Sequence, residues 1–266
     1  ERPTSLLVSE ELAGSEIVMY DLDHRKAEMM AGLYRRLADR TEPEFTVRVA
    51  DSLAEAVDGA DFAISSIGGS GAQASSRVYT TSYHQADIEI PAKYGIHQVI
   101  GDTCGPAGMM MGLRSVPVYL EICREMEKRC PDAVLFNHSN PMAVICRAMR
   151  KYTDIEFIGI CHGVHHGIGR VAELLDAEPE EIECTWIGTN HYYWFLRILR
   201  DGEDVYDEVL ERVSEIPEEH CALGDRLSRA YGHVLAYPVD SHVIEFYPYA
   251  AQAESWDGLP YGLAEE

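Results

Sequence analysis

Between Glu16 and Gly163 the chain alternates short apolar runs with longer stretches whose apolar positions recur at helical spacing. The runs read as strands: Glu16–Asp23, ending in carboxylates; Phe45–Ala50; Asp61–Ile67, leading into Gly68 and Gly69; His97–Gly101; Ala133–Phe136; and Ile155–Ile160. Helices are predicted over 25–40, after the capping pair Asp51-Ser52, from Met109 to Arg129, and up to Tyr152, and Glu1–Leu7 reads as a helix start with Pro3 in its first turn. Strands separated by helices cannot close as hairpins, so this order predicts a parallel sheet wrapped by helices on both faces.

The expected fold is therefore α/β, a Rossmann-like, mostly parallel sheet with a smaller α+β domain after it. The division is placed at 163/164, giving a dinucleotide-binding domain over 1–163 and a metal and substrate domain over 164–266. The short apolar run Ile155–Ile160 predicts a strand buried on both faces. From Glu181 the pattern changes. Cys184–Ile187 and His191–Leu199 alternate and carry aromatics, as strands leaving the parallel sheet do. Glu203–Glu219 reads as a solvated acidic helix, and Tyr237–Pro248 as a loop over a pocket.

Composition narrows the partners. Lys+Arg number 22 against 45 Asp+Glu, a formal charge of -23, which repels nucleic acid and anionic membrane. No apolar run is long enough to span a bilayer, and no basic-then-apolar leader opens the chain, so a cytoplasmic location is expected. Seven cysteines, odd in number and without a CxxC pair, are expected as reduced thiols, most of them small buried residues.

One cysteine is placed differently. Cys161 and His162 follow the Ile155–Ile160 run, between Gly159 and Gly163, and ligands of parallel sheets bind at the carboxyl ends of strands. Cys161 and His191 are taken as a metal-binding pair, with His162 beside them; the competing assignment for His191 is a buried histidine inside an aromatic strand. Both Cys161 and His162 can face one pocket only if the strand ends there, which Gly163 permits. Asp21, at a strand end, suits the ribose of a dinucleotide, against the plainer role of a cap or turn. The glycine-rich phosphate loop that normally precedes such a residue is not found; Gly68-Gly69-Ser70-Gly71 is the other glycine cluster that could approach a cofactor.

Several motifs then occur in one order: Gly101-Asp102-Thr103-Cys104-Gly105-Pro106-Ala107-Gly108, Leu113-Arg114-Ser115-Val116-Pro117, Asn140-Pro141, Cys161-His162-Gly163-Val164, Asn190-His191 and Asp240-Ser241-His242-Val243-Ile244-Glu245-Phe246. As an ordered set they resemble glycoside hydrolase family 4, the NAD- and divalent-metal-dependent glycosidases. Ala107 stands where the family usually has glycine. The resemblance implies a further strand with its glycine-rich loop upstream of Glu1, and further helices beyond Glu266.

The resemblance also implies a reaction. NAD takes the C3 hydride of the sugar, a base removes the acidified C2 proton, the C1 leaving group is eliminated, water adds, and the hydride returns. It implies Asp240 as the C2 base, although other members use a tyrosine, with His242 as its partner. His162 is implied as the general acid or as a holder of the leaving oxygen, with packing as the alternative. Asn140 is implied as a ligand of sugar hydroxyls, or simply a turn former; Asp102 as a substrate contact; Arg114 as structural. The metal is implied to be manganese, although thiolate and imidazole suit zinc as well. A homo-oligomer, dimer or tetramer, is implied too. A histidine after the metal-binding cysteine resembles the branch acting on unphosphorylated α-glucosides, α-galactosides or α-uronides. The competing assignments are a lactate/malate-type dehydrogenase and a non-catalytic sugar- or nucleotide-binding relative.

Overall fold

The structure, a computed structural model, describes residues 10–40, 45–67, 83–217, 220–236 and 240–247, with Asp240 and Ser241 described in their backbone alone. Strands β1 (Glu16–Met19) and β2 (Thr46–Val49) pair in parallel around helix α1 (His24–Ala38), which turns Ala27, Ala31 and Tyr34 inward. The short helix α2 (Leu53–Ala56) begins at Ser52, whose hydroxyl accepts from Glu55 N at 3.2 Å, as the sequence predicts.

A second parallel sheet follows the order β3 (Phe62–Ser65), β4 (Val134–Asn137), β5 (Glu156–Gly159). Helices α3 (Tyr83–Ala92), α4 (Gly105–Arg129) and α5 (Met142–Tyr152) connect these strands. Tyr119 and Met126 of α4, Leu135 of β4, and Ile145 and Met149 of α5 form the centre of one buried cluster. Inside it the Tyr119 hydroxyl donates to Asn137 Oδ1, and Asn137 Oδ1 also accepts from Ser139 N at 2.9 Å. Ser139 Oγ in turn donates to Ile67 O at 2.7 Å. These bonds fix the carboxyl ends of β3 and β4, from which Asn140 projects.

The second half is antiparallel. After helix α6 (Gly163–Leu174), strands β6 (Ile182–Thr189), β7 (Tyr192–Arg200) and β8 (Glu203–Asp204) form a meander. Helices α7 (Tyr206–Glu215), α8 (Leu223–Tyr231) and α9 (Asp240–Val243) complete it. Val171, Phe195, Ile198, Val209 and Ile244 centre a second buried cluster. The architecture is thus the expected α/β one, parallel strands and helices first and an antiparallel part after them. Among the described residues no helix is long and apolar enough to cross a membrane.

Two local expectations are corrected, and one helix is added. His97–Gly101 is not a strand: Ile100 N and Gly101 N donate to the Glu245 carboxylate, and Gly101 takes a φ of 63° that no strand residue has. The apolar run before Cys161 is not buried on both faces. Among the described residues β5 pairs with β4 alone, and Ile158 is 40% exposed. Helix α3, with Pro91 inside it, is present although the sequence pattern did not indicate it.

Close helix packing makes one position critical. A Cβ on Gly167 of α6 would lie 1.7 Å from the carbonyl oxygen of Ala236, a backbone atom, whereas one on Gly169 meets nothing. Gly167→Ala is expected to destabilise the protein by about 3 kcal/mol or more, since the backbone at Ala236 must shift. Gly169→Ala, in the same helix, is expected to stabilise by up to ~1 kcal/mol through helix propensity. Urea unfolding of the two variants checks the pair, and a Gly167→Ala midpoint equal to wild type contradicts the packing described.

Candidate active site

Strand β5 ends at Gly159, where the missing side chain admits Met142 and Cys146 of α5; a Cβ there would stand 2.6 Å from each. The chain then leaves the sheet, so Cys161 and His162 lie in the connection to α6 and are not forced to opposite faces. Cys161 Sγ accepts from Gly163 N, the first residue of α6, at 3.3 Å. Burial pushes this thiol up, but hydrogen bonding to His191, Gly163 N–H and Tyr193, with the charge of His191, outweighs it and holds Cys161 below the usual thiol range. Burial alone pushes Cys184 up to about 12. The two cysteines therefore differ in kind, one thiol held down by its partners and the other pushed up by burial.

His191 does not lie within a strand. Asn190 and His191 form the two-residue turn between β6 and β7, with Thr189 paired to Tyr192 and His191 at a φ of 65°. A histidine in the left-handed region costs on the order of 1 kcal/mol, a strain that surrounding contacts must offset. Those contacts are specific. Thr103 Oγ1 donates to Asp102 Oδ1 at 2.8 Å and lies 2.8 Å from His191 Nδ1. A hydroxyl has one proton and an ionised carboxylate can only accept, so Nδ1–H donates to Thr103. Nε2 is then the ring atom whose lone pair a metal could take. Burial pulls His191 down, but Asp102 and Cys161, through hydrogen bonds and charge, raise it to about 9. Without a cation, a protonated His191 ring sits between the Asp102 carboxylate and the Cys161 sulfur.

Asp102 gathers the rest. Its Oδ1 lies 3.5 Å from His191 Nδ1 and 3.6 Å from His242 Nδ1, and its Oδ2 accepts from Asn140 Nδ2 at 2.6 Å. Burial pushes its carboxyl up, yet the His191 hydrogen bond and the charges of His191 and His242 hold it below the ordinary range. His242, its ring centroid 3.9 Å from that of His191, is pulled down to about 4 by burial and by the charge of His191. It is a neutral imidazole at physiological pH. The ligand atoms of Asp102, His191 and His242 all lie within 4.8 Å of one another.

This donor set fits a divalent cation. A carboxylate and two imidazoles converge, the Cys161 thiol hydrogen-bonds one of those rings from outside the trio, and the Thr103 contact fixes that ring's tautomer. The structure thus brings Cys161, His191, Asp102 and Asn140 together. His162 is exposed, its ring centroid 4.7 Å from that of His166, close enough for its charge to act on His242. Asp240 opens α9, two residues before His242, and its side chain lies outside the described residues, as do Gly68 and Gly69. Asp21 stands just past β1, exposed, with Oδ1 accepting from Asp23 N at 2.7 Å. Arg114 pairs with Asp87.

Thr103 as the link between Asp102 and His191, and the entry of Asp102 and His242 into the metal-capable cluster, were not read from the sequence. All three residues lie inside quoted motifs, but nothing along the chain says that positions so far apart meet.

The fold is Rossmann-type α/β, with these donors gathered beside the ends of parallel strands. The chain matches the family 4 glycosyl hydrolases over residues 4–177, and it belongs to that family. It is 33% identical over 245 residues to an alpha-galactosidase of Bacillus subtilis, covering 91% of this chain and 55% of that protein. It is 28% identical over 274 residues to an alpha-galacturonidase of Thermoanaerobacter italicus, covering 95% of this chain and 57% of the relative. A solved 6-phospho-alpha-glucosidase from gut microorganisms, in complex with NAD and glucose-6-phosphate, superposes with a TM-score of 0.70 at 25% identity, covering 88% of this chain and 52% of that one. The chain spans about half the length of the curated relatives it matches.

Proposed function

We propose that the protein hydrolyses an O-glycosidic bond of an unphosphorylated α-glycoside, with NAD and a divalent metal, manganese by preference, as cofactors. The observation that carries this is the convergence of Asp102, His191 and His242, with Cys161 hydrogen-bonded to His191, in a chain of family 4. When bound, NAD supplies a hydride acceptor and donor for sugar C3, and the metal a Lewis acid for the oxygen on which charge builds. Cys161 and His191 hold the ion, with Asp102 and His242 close enough to complete or brace its shell. Asn140, tethered to Asp102, orients sugar hydroxyls. Asp240 takes the C2 proton, and His162 hands a proton to the leaving oxygen. Asp21, with Gly68 and Gly69, serves the cofactor, the carboxylate on the ribose. The division into a 1–163 cofactor domain and a 164–266 substrate domain, and a homo-oligomeric state, belong to the same proposal. Relatives named alpha-galactosidase, alpha-galacturonidase and alpha-glucosidase, together with His162 following the cysteine, support an unphosphorylated α-glucoside, α-galactoside or α-uronide, while a relative named probable 6-phospho-beta-glucosidase matches at 29% identity.

The test is hydrolysis of a 4-nitrophenyl α-glycoside with and without NAD, Mn2+ and a thiol reductant. Turnover is expected only with both cofactors, without net NADH, and with solvent deuterium entering C2 of the product. Net NADH would place the protein among dehydrogenases, and hydrolysis independent of NAD would sink the proposal.

A further inference from the structure

Glu245 takes no part in the chemistry above, yet its carboxylate ties the two motifs that build the site. Its Oε1 accepts from Ile100 N at 2.6 Å and from Gly101 N, and its main-chain oxygen accepts from Cys104 Sγ at 3.4 Å. The partners are 144 and 145 residues away along the chain, and both N–H groups belong to the irregular segment just before Asp102. The other oxygen, Oε2, is buried without a hydrogen-bond partner. Both sides of this contact are anchored, the 98–104 side by Gln98, whose Nε2 donates to Cys104 O at 2.9 Å and whose Oε1 accepts from Ala107 N at 3.0 Å. Val243 and Ile244 are 0% exposed, and Phe246 stacks on Tyr192 with ring centroids 4.9 Å apart. Glu245 therefore joins two packed segments, and the one leading to Asp102 turns through Gly101, in the left-handed region, where the two N–H groups meet the carboxylate.

We propose that Glu245 is a positioning residue that holds the 99–104 segment against the segment carrying His242, and so sets the separation of Asp102 from His242 and His191. The proposal rests on the metal function assigned to that cluster. It acts through reach: one carboxylate oxygen must arrive between two main-chain N–H groups. Glutamine keeps that oxygen at the same distance, whereas aspartate keeps the charge and withdraws it by one methylene.

The experiment compares wild type, Glu245→Gln and Glu245→Asp by Mn2+ titration followed by electron paramagnetic resonance, alongside thermal midpoints and amide hydrogen exchange over 98–104 in the metal-free protein. Glu245→Asp is expected to weaken Mn2+ binding by about tenfold to a hundredfold, the scale of losing a residue that orients a metal ligand. Exchange over 98–104 should quicken in the same variant, and Glu245→Gln should stay within about threefold of wild type by the same scale. Wild-type Mn2+ affinity in Glu245→Asp, equal losses in both variants, or unchanged exchange in Glu245→Asp each overturn the proposal. Should the aspartate variant fail to fold, Glu245→Gln decides: retained affinity and protection support the proposal, and their loss overturns it. If wild type itself binds no Mn2+, the metal assignment fails, and the exchange measurement still decides whether Glu245 clamps the segment.

Discussion

Cys161→Ser should lose Mn2+ binding by ~10²-fold or more, and glycoside turnover by ~10³-fold, while its unfolding transition stays close to that of wild type. Serine is nearly isosteric but does not ionise in this range, so the cation loses a charged ligand and keeps only a weak neutral one. The thiol is half-buried outside both buried clusters, so folding has little reason to notice the change. A second consequence follows in the metal-free protein. Cys161 is one of the two groups that raise His191 to about 9, so the variant's His191 should titrate lower. A raised histidine pKa stabilises the fold fully below its unfolded value of 6.5, and that contribution is lost as pH rises through about 9. Cys161, held below the thiol value of 9, contributes the opposite slope over the same window, so the two offset each other in wild type, and the variant should show the His191 loss alone and at lower pH. Calorimetry across that window and Mn2+ titration measure the two effects. Undiminished Mn2+ affinity would falsify the role assigned to the thiolate.

Asp240→Asn is expected to lower kcat by ~10²–10⁴-fold, the usual contribution of a positioned general base. The backbone of Asp240 is placed by α9, whose His242 stands beside His191 and whose Val243 is fully buried, so the substituted side chain starts from the same place. Asparagine matches the shape of aspartate and cannot accept a proton from carbon. Mn2+ binding and stability should be unaffected, and solvent deuterium should no longer enter C2 of the product. Exchange at the wild-type rate in Asp240→Asn would move the base to another residue.

Much of this could be read along the chain because strand and helix formation is local. Alternation of apolar runs gave the parallel order, Ser52 gave its cap, and Gly159 with Gly163 marked where β5 must end. The errors came where local pattern lost to a distant partner. His97–Gly101 has the composition of a strand, but its N–H groups found a carboxylate in the 240–246 segment. His191 sits amid strand-forming aromatics, yet the hairpin turns on it because Thr103 and Asp102 hold its ring.

The sequence by itself determined most of the parallel strand-and-helix order, the reduced thiols, the net acidity and the residue types able to bind a cation, since each depends on composition or on neighbours within a turn of helix or a few strand positions. Tertiary structure alone decided that Asp102, Cys161, His191 and His242 share one place, and that Thr103 and Glu245 set their geometry. Contacts between residues so far apart are fixed by how the two buried clusters pack, and a linear pattern carries no record of that.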